Sequence, residues 1–379
     1  MELSKTEVEG LDFECRNFLQ SWEMYQRYQA LGRESYYVGV KGEDGEILAA
    51  GLMLARPWRL GKKIFRVAGG WLMDYEHKNY SGILEFITLK AKEFCRERGG
   101  MMLEISPNIV AQPRDMYGQI VEGKDHLGVK RELERIGYKY LGEYEQAKWV
   151  FVKDLGKEKP EEMFAEFRTG HRQWVRKAER EGVRVRELSN GELGILKEIA
   201  AEAGERRGFR DPEMEYYQSM KEAFGEKVKF MVTEIPEGKL TGEIPEAKAG
   251  KNQGNYVPKA EIVTPKKGGK TKYVPLAAAM FVNDGREMVY LYSGALLKWQ
   301  KYGGAHLLQW AMLNQALETG CKRYNFYGVK PVEGDGVYFF KQGFRGRVEE
   351  LLGTFVLPIG AIGKLYVSRL KKQEYGEIS

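Results

Sequence analysis

Arginine recurs every four residues at Arg168, Arg172, Arg176 and Arg180. At 3.6 residues per turn, this spacing draws one slowly drifting basic stripe along a helix. Phe164, Phe167, Trp174, Val175 and Ala178 supply an apolar side. Such a stripe can contact the phosphates of a polyanion, or it can be a solvated face with glutamates nearby. Tyr290 and Tyr292, in YLYSGA, stand two apart in a stretch of strand character. Their rings are expected on one face of that strand, with Leu291 on the other. The rest of the reactive inventory is thin. His77, His126, His171 and His306 have no metal-ligand spacing, and Cys15, Cys95 and Cys321 lie far apart. A zinc centre, a Ser-His-Asp centre and a disulfide framework are therefore poorly supported, and reduced thiols are expected. No metal and no cofactor is expected.

These side chains need a scaffold, and 379 residues are enough for two domains. Hydrophobic residues make up 43% and charged residues 30%, an ordinary globular mixture. No apolar run approaches the ~20 residues that span a bilayer. Residues 1–12 are acidic and lack the apolar stretch of a secretory signal, so a cytoplasmic location is expected. The net charge of +6 is no global argument for a nucleic-acid partner. Eight lysines against four glutamates give residues 236–272 +4 of it, leaving about +2 for the rest.

One order of elements recurs. Strands are expected at 36–40, 47–55 and 64–68, a helix at 81–98, a strand at 101–105, and a short helix, RELERIGY, closed by Gly137. The second half repeats this with strands at 228–233, 276–282 and 288–293, a helix at 303–319, a strand at 323–329, and a short helix, VYFFKQGF, closed at Gly343. Between them, a strand is expected near 149–155 and helices near 161–181, 192–207 and 212–224. The stretch 236–272, rich in Gly, Pro and Lys, reads as a mobile loop inserted in the second half. The fold class expected is α/β, with two tandem acetyltransferase-like domains of mixed sheets flanked by helices. The first covers 1–150 and the second covers 151–349.

Several phrases in order resemble the Fem family of peptidoglycan-bridge peptidyltransferases. They are FLQSWEM at 18–24, WLMDY at 71–75, HRQWVRKAEREGV at 171–183, VPLAAAMF at 274–281, YLYSGA at 290–295, WAMLNQALETGCKRYNFYGV at 310–329 and GVYFFKQGFRG at 336–346. The resemblance implies that the C-terminal 350–379 packs back on the first domain, and that the protein is an enzyme of cell-wall biogenesis that takes an amino acid from aminoacyl-tRNA. The acceptor would be an amine on the stem peptide of a UDP-linked or lipid-linked peptidoglycan precursor. A monomer is expected, with visits to the membrane surface where the acceptor is lipid-linked. Some family members insert a long helical arm in the second domain. Here Pro236, Pro245, Pro258 and Pro265 oppose one.

An aminoacyl ester is already activated, so its aminolysis needs orientation and help for a developing oxyanion more than a nucleophile or a metal. The resemblance places Lys341 of FFKQGF at the aminoacyl end of the tRNA, with Phe340 packed beside it. An ammonium there can neutralise an oxyanion or a phosphate. A cation in the last turn before Gly343 can equally serve the helix dipole. By the same resemblance Arg210, in GFRDPEMEYY, binds the precursor's diphosphate, with Tyr217 nearby. Arg27, after FLQSWEM, is a second diphosphate candidate, and the YLYSGA strand puts Tyr290 or Tyr292 near the substrate. The stripe from Arg168 to Arg180 would then meet tRNA phosphates. Two rival readings remain. The sequence 300–305, QKYGGA, fits the loop by which acetyltransferases cradle coenzyme A pyrophosphate, which would make the enzyme an acyl-CoA-dependent N-acyltransferase. The other is a non-catalytic tRNA- or precursor-binding protein.

Overall fold

The computed structural model describes residues 1–156, 158–208, 211–240, 256–264 and 271–376. The chain divides into two units, Met1–Val150 with Val348–Ser379, and Phe151–Arg347.

The first unit holds α1 (Lys5–Glu9), α2 (Trp22–Ala30), β1 (Ser35–Lys41), β2 (Ile47–Pro57), β3 (Lys63–Gly69), β4 (Leu72–Met73), α3 (Tyr80–Glu97), β5 (Gly100–Pro107), β6 (Val110–Pro113), α4 (Leu127–Arg135) and β7 (Lys139–Gly142). Strand β8 (Trp149–Asp154) leads into the second unit. There follow α5 (Pro160–Glu166), α6 (Thr169–Arg180), β9 (Arg184–Glu187), α7 (Leu193–Arg207), α8 (Met214–Phe224), β10 (Val228–Pro236), β11 (Tyr273–Asn283), β12 (Glu287–Ala295), α9 (Gly304–Glu318), β13 (Arg323–Gly328) and α10 (Gly336–Gln342). The chain closes with β14 (Arg347–Leu351), β15 (Thr354–Pro358) and α11 (Gly360–Gly376).

In the first unit the sheet order is β1-β2-β3-β5-β15-β7. The run β1-β2-β3 is antiparallel. Helix α3 then buries Ile83, Leu84, Ile87, Ala91 and Cys95, a 3.6-period stripe, and returns the chain to β5, parallel to β3. Strand β15 lies antiparallel between β5 and β7, with Phe355 opposite both Ile105 and Tyr140. In the second unit β9-β10-β11-β12 is antiparallel, α9 crosses over, and β13 runs parallel to β12 with β8 beside it. Each unit is thus an antiparallel run closed by a helical crossover to a parallel strand. This is the acetyltransferase-like α/β order expected from the sequence.

Two local expectations are corrected. The single helix expected over 161–181 is broken. Phe167 takes an extended ψ of 148° and is buried, and the Arg168 amide donates to Gly343 O at 2.9 Å. A contact distant in sequence makes that break, so no local signal announces it. The loop expected over 236–272 is also partly structured. Pro258 O accepts from Trp310 Nε1 at 2.7 Å, and the Val263 amide donates to Val185 O at 2.8 Å, along the free edge of β9. Residues 241–255 and 265–270 lie outside the described residues. Among the described residues, no helix is long and apolar enough to cross a membrane.

Candidate active site

Strands β12 and β13 pair at three positions only: Glu287 with Arg323, Met288 with Tyr324 and Val289 with Asn325. Beyond these the ladder stops, although β12 continues to Ala295 and β13 to Gly328. The first unit's parallel pair, after one shift next to Lys63, stays in register from Ile64 with Met102 to Gly69 with Pro107. One sheet therefore opens where the other stays shut.

Lys341 sits at this opening. Asp335 caps α10 by accepting from the Tyr338 amide at 2.7 Å, which fixes the turn that carries the lysine. Lys341 is only 5% exposed. Its Nζ donates to Gly328 O at 2.6 Å and Tyr327 O at 3.3 Å, and lies 6.0 Å from the centroid of the Tyr290 ring. The ammonium is buried at the end of β13, so a solvated charge at its own helix terminus does not describe it. The accepting carbonyls are themselves fixed. Tyr327 is left-handed, with φ 62°, a conformation costly for a side chain with a Cβ. Its amide donates to Asn325 Oδ1 at 2.8 Å, and Asn325 Nδ2 donates to Glu287 Oε2 at 3.2 Å. Arg323 Nε holds the same carboxylate oxygen at 3.0 Å. Burial pushes the Glu287 carboxyl up, against the pull of Arg323.

Phe340 lies among rings, with centroids 5.0 Å from His306, 5.8 Å from His171 and 5.2 Å from Phe344. His171 Nε2 is 2.9 Å from Phe340 O, and the two imidazoles meet edge to face at 4.7 Å. Burial lowers both, and takes His306 from 6.5 down to about 3. No role for these histidines is visible in the sequence, because they stand on two helices far apart in the chain. A pH effect follows. The depressed folded-state pKa means that the unfolded chain takes up the proton preferentially between about 3 and 6.5. Stability from this source is complete above that window and falls as pH drops through it. The melting temperature should therefore decline from pH 7 to pH 4.5, and the decline should be shallower in His306→Gln. Equal slopes would show that His306 titrates normally.

The two strand tyrosines do not share a face. Phe281 pairs with Tyr290 but Met280 pairs with Tyr292, so Leu291 is an extra residue, a β-bulge. The bulge reverses the alternation. Tyr290 meets Phe281 at 5.4 Å on the α9 side, near Lys341. Tyr292 meets Tyr216 at 5.4 Å and Tyr217 at 6.1 Å on α8. Tyr217 is fully buried and donates to Asp211 Oδ1 at 2.5 Å. Lys197 pairs with the other oxygen of Asp211 at 3.0 Å. This lock fixes the residue that follows Arg210, while Arg210 itself lies outside the described residues. Arg27 belongs to the first unit, on α2, where it is 4% exposed and its Nη1 lies 3.9 Å from Met24 Sδ.

The basic stripe begins at the lysine-bearing helix. Arg168 reaches Gln342 Oε1 at 3.4 Å and covers the Phe339 ring at 5.1 Å. Arg172 donates to Ala165 O, Arg176 donates to Tyr256 O at 2.8 Å, and Arg180 is exposed. The glycines of QKYGGA have a packing reason. A Cβ on Gly303 would lie 2.7 Å from Trp174 O, and one on Gly304 would lie 2.7 Å from Thr233 Oγ1 and 2.8 Å from Leu276 Cβ. Helix α6 and strands β10 and β11 press against the start of α9, which accounts for both glycines without a pyrophosphate.

The class this defines is an acetyltransferase-like α/β protein whose second unit opens around a buried lysine and a tyrosine. The chain belongs to the FemAB family, whose model matches residues 12–262 and 259–368. Its relatives include Aminoacyltransferase FemA of Staphylococcus epidermidis, 25% identical over 383 residues, covering 90% of this chain and 91% of the relative. Aminoacyltransferase FemB of the same species is 25% identical over 405 residues, covering 94% and 95%. The crystal structure of FemX has the same fold, with a TM-score of 0.74 at 18% identity over 98% of this chain and 99% of that one.

Proposed function

We propose that the protein is a tRNA-dependent aminoacyltransferase that moves an amino acid from aminoacyl-tRNA to an amine on the stem peptide of a peptidoglycan precursor. The observation that carries this reading is Lys341, buried at the opening between β12 and β13. Membership of a family whose relatives are named aminoacyltransferases supports it. The acceptor amine attacks the ester carbonyl, a C–N bond forms, and the oxyanion of the tetrahedral intermediate is stabilised by the Lys341 ammonium. The C–O bond to the terminal ribose then breaks, and the amine's proton leaves with the ribose oxygen. Phe340 and Tyr290 wall the reacting centre. Arg210 takes the precursor's diphosphate, Tyr217 holds the following residue, Asp211, and Tyr292 packs beside Tyr217. We propose that it acts on these precursors in the cytoplasm, as a monomer.

Incubation with labelled aminoacyl-tRNA, acetyl-CoA and both UDP-linked and lipid-linked precursors tests the reading. Transfer from the tRNA alone is expected. Transfer from acetyl-CoA alone would favour the acyl-CoA reading, and transfer from neither would favour a binding protein.

The arginines of α6 lie on the tRNA's path towards Lys341. Each phosphate contact contributes about 0.7–0.9 to the slope of log K against log salt. Arg172→Ala with Arg180→Ala should therefore flatten that slope for tRNA by about 1.5. An unchanged slope would return the stripe to the solvated surface.

A further inference from the structure

The tip between β2 and β3 is unusually apolar for its exposure. Leu60 is left-handed, with φ 56°, and 88% exposed. An isolated exposed leucine needs no explanation, but this one has company. Trp58, two residues earlier, meets Tyr366 of α11 edge to face at 5.2 Å. Both rings rest on the same buried cluster of Met101, Met102, Leu141, Val356 and Val367. The tip and α11 are therefore neighbours within the first unit. Along α11, Gly363 and Val367 face the sheet. Ile362, Leu365, Tyr366 and Arg369 follow at spacings of three and four on an outer flank, with Ile362 42% and Leu365 57% exposed.

The charges around these groups have one prevailing sign. Residues 56–63 contribute Arg56, Arg59, Lys62 and Lys63, residues 360–370 contribute Lys364 and Arg369, and neither stretch holds an acidic residue. Glu145 pairs with Arg56 and Glu34 pairs with Lys63. That leaves about +4 around three exposed aliphatic side chains and two half-buried aromatic rings.

We propose that this face of the first unit, the Trp58–Lys62 tip with the Ile362–Arg369 flank of α11, docks on an anionic lipid bilayer. Exposed aliphatic tips enter the boundary between headgroups and chains, Trp and Tyr lie at headgroup depth, and cations meet lipid phosphate. An RNA surface would pair its cations with stacking aromatics, whereas here the outermost groups are leucine and isoleucine. The inference stands apart from the aminoacyl-transfer reading, because it needs only the surface itself.

Vesicle co-sedimentation tests it, with the full chain and vesicles of phosphatidylcholine containing 30% phosphatidylglycerol in one arm and pure phosphatidylcholine in the other. The expected results are binding to the anionic vesicles, weakened at least tenfold by raising salt from 0.1 to 0.5 M or by Leu60→Glu with Leu365→Glu. These side chains are exposed, so the circular dichroism and melting temperature of the double variant should match the parent. Equal vesicle binding by parent and double variant would overturn the proposal. So would a double variant that loses tRNA affinity while keeping vesicle binding, or a parental dimer, seen by sedimentation, that the substitutions dissociate.

Discussion

Lys341→Met should lower the single-turnover rate of transfer by about a hundredfold while leaving the fold intact, in line with losing one charged oxyanion partner. Methionine keeps much of the stem's volume. What it removes is the donor to Gly328 O and Tyr327 O, at 2.6 and 3.3 Å. Leaving a buried acceptor unpaired costs about 1–3 kcal/mol, so a melting temperature lower by several degrees should accompany the loss of rate. The two effects are separable, because transfer measured well below the transition with saturating aminoacyl-tRNA reports the chemistry. Lys341→Arg then distinguishes roles. A guanidinium keeps the charge but does not fit a site shaped for a point donor, so rescue would indicate simple neutralisation and continued loss a strict contact. If Lys341→Met transfers at the parental rate, the lysine only ties α10 to β13 and the site lies elsewhere.

Gly343→Ala should damage the second unit severely. Its backbone is ordinary, with φ −64°, so the cost is one of space. The new Cβ would lie 2.0 Å from His171 Cε1 and Nε2. The imidazole cannot swing aside cheaply. Its Nε2 is bonded to Phe340 O, and its ring is packed on Phe344 at 4.9 Å and on His306 at 4.7 Å. The remaining response is for α10 to lift away from α6, carrying Lys341 with it. Overpacking costs about 1–3 kcal/mol, more where neighbours are fixed, so a melting temperature lower by roughly 5–10 °C is expected, with a loss of transfer at all temperatures. His171→Ala in the Gly343→Ala background should recover part of both by vacating the ring. Strictly additive effects of the two substitutions would mean that ring and methyl never meet.

Much of this arrangement was legible in the chain because it is local. The apolar stripe of α3, the uninterrupted apolar runs of β2 and β11, and the glycines that close α9 and α10 are written in consecutive residues, and the ordered family phrases led to Lys341. What escaped is made by distant residues. The break between α5 and α6 depends on Gly343. The bulge at Leu291 appears only in the pairing of β11 with β12, so alternation alone put Tyr290 and Tyr292 on the wrong common face. The chain from Arg323 through Glu287 and Asn325 to the Tyr327 amide uses residues that are unremarkable one by one. His171 and His306 come together from α6 and α9, whose packing no spacing rule conveys. Residues 256–264 looked like linker because their partners, Trp310 and Val185, lie elsewhere in the chain.

The position of β15 bears on how the protein is made. A ribosome delivers β5 and β7 long before it delivers Phe355, the residue that sits opposite Ile105 in one strand and Tyr140 in the other. Until then the nascent amino-terminal sheet has a gap between β5 and its last strand, β7, with hydrogen-bonding edges exposed on both sides of it. The whole second unit emerges first and can complete its own β9–β13 core while the first waits. A message truncated between the codons for Leu351 and Thr354 would therefore yield a chain with a folded second unit and a permanently open amino-terminal sheet. Such a product would be a substrate for chaperones and proteases.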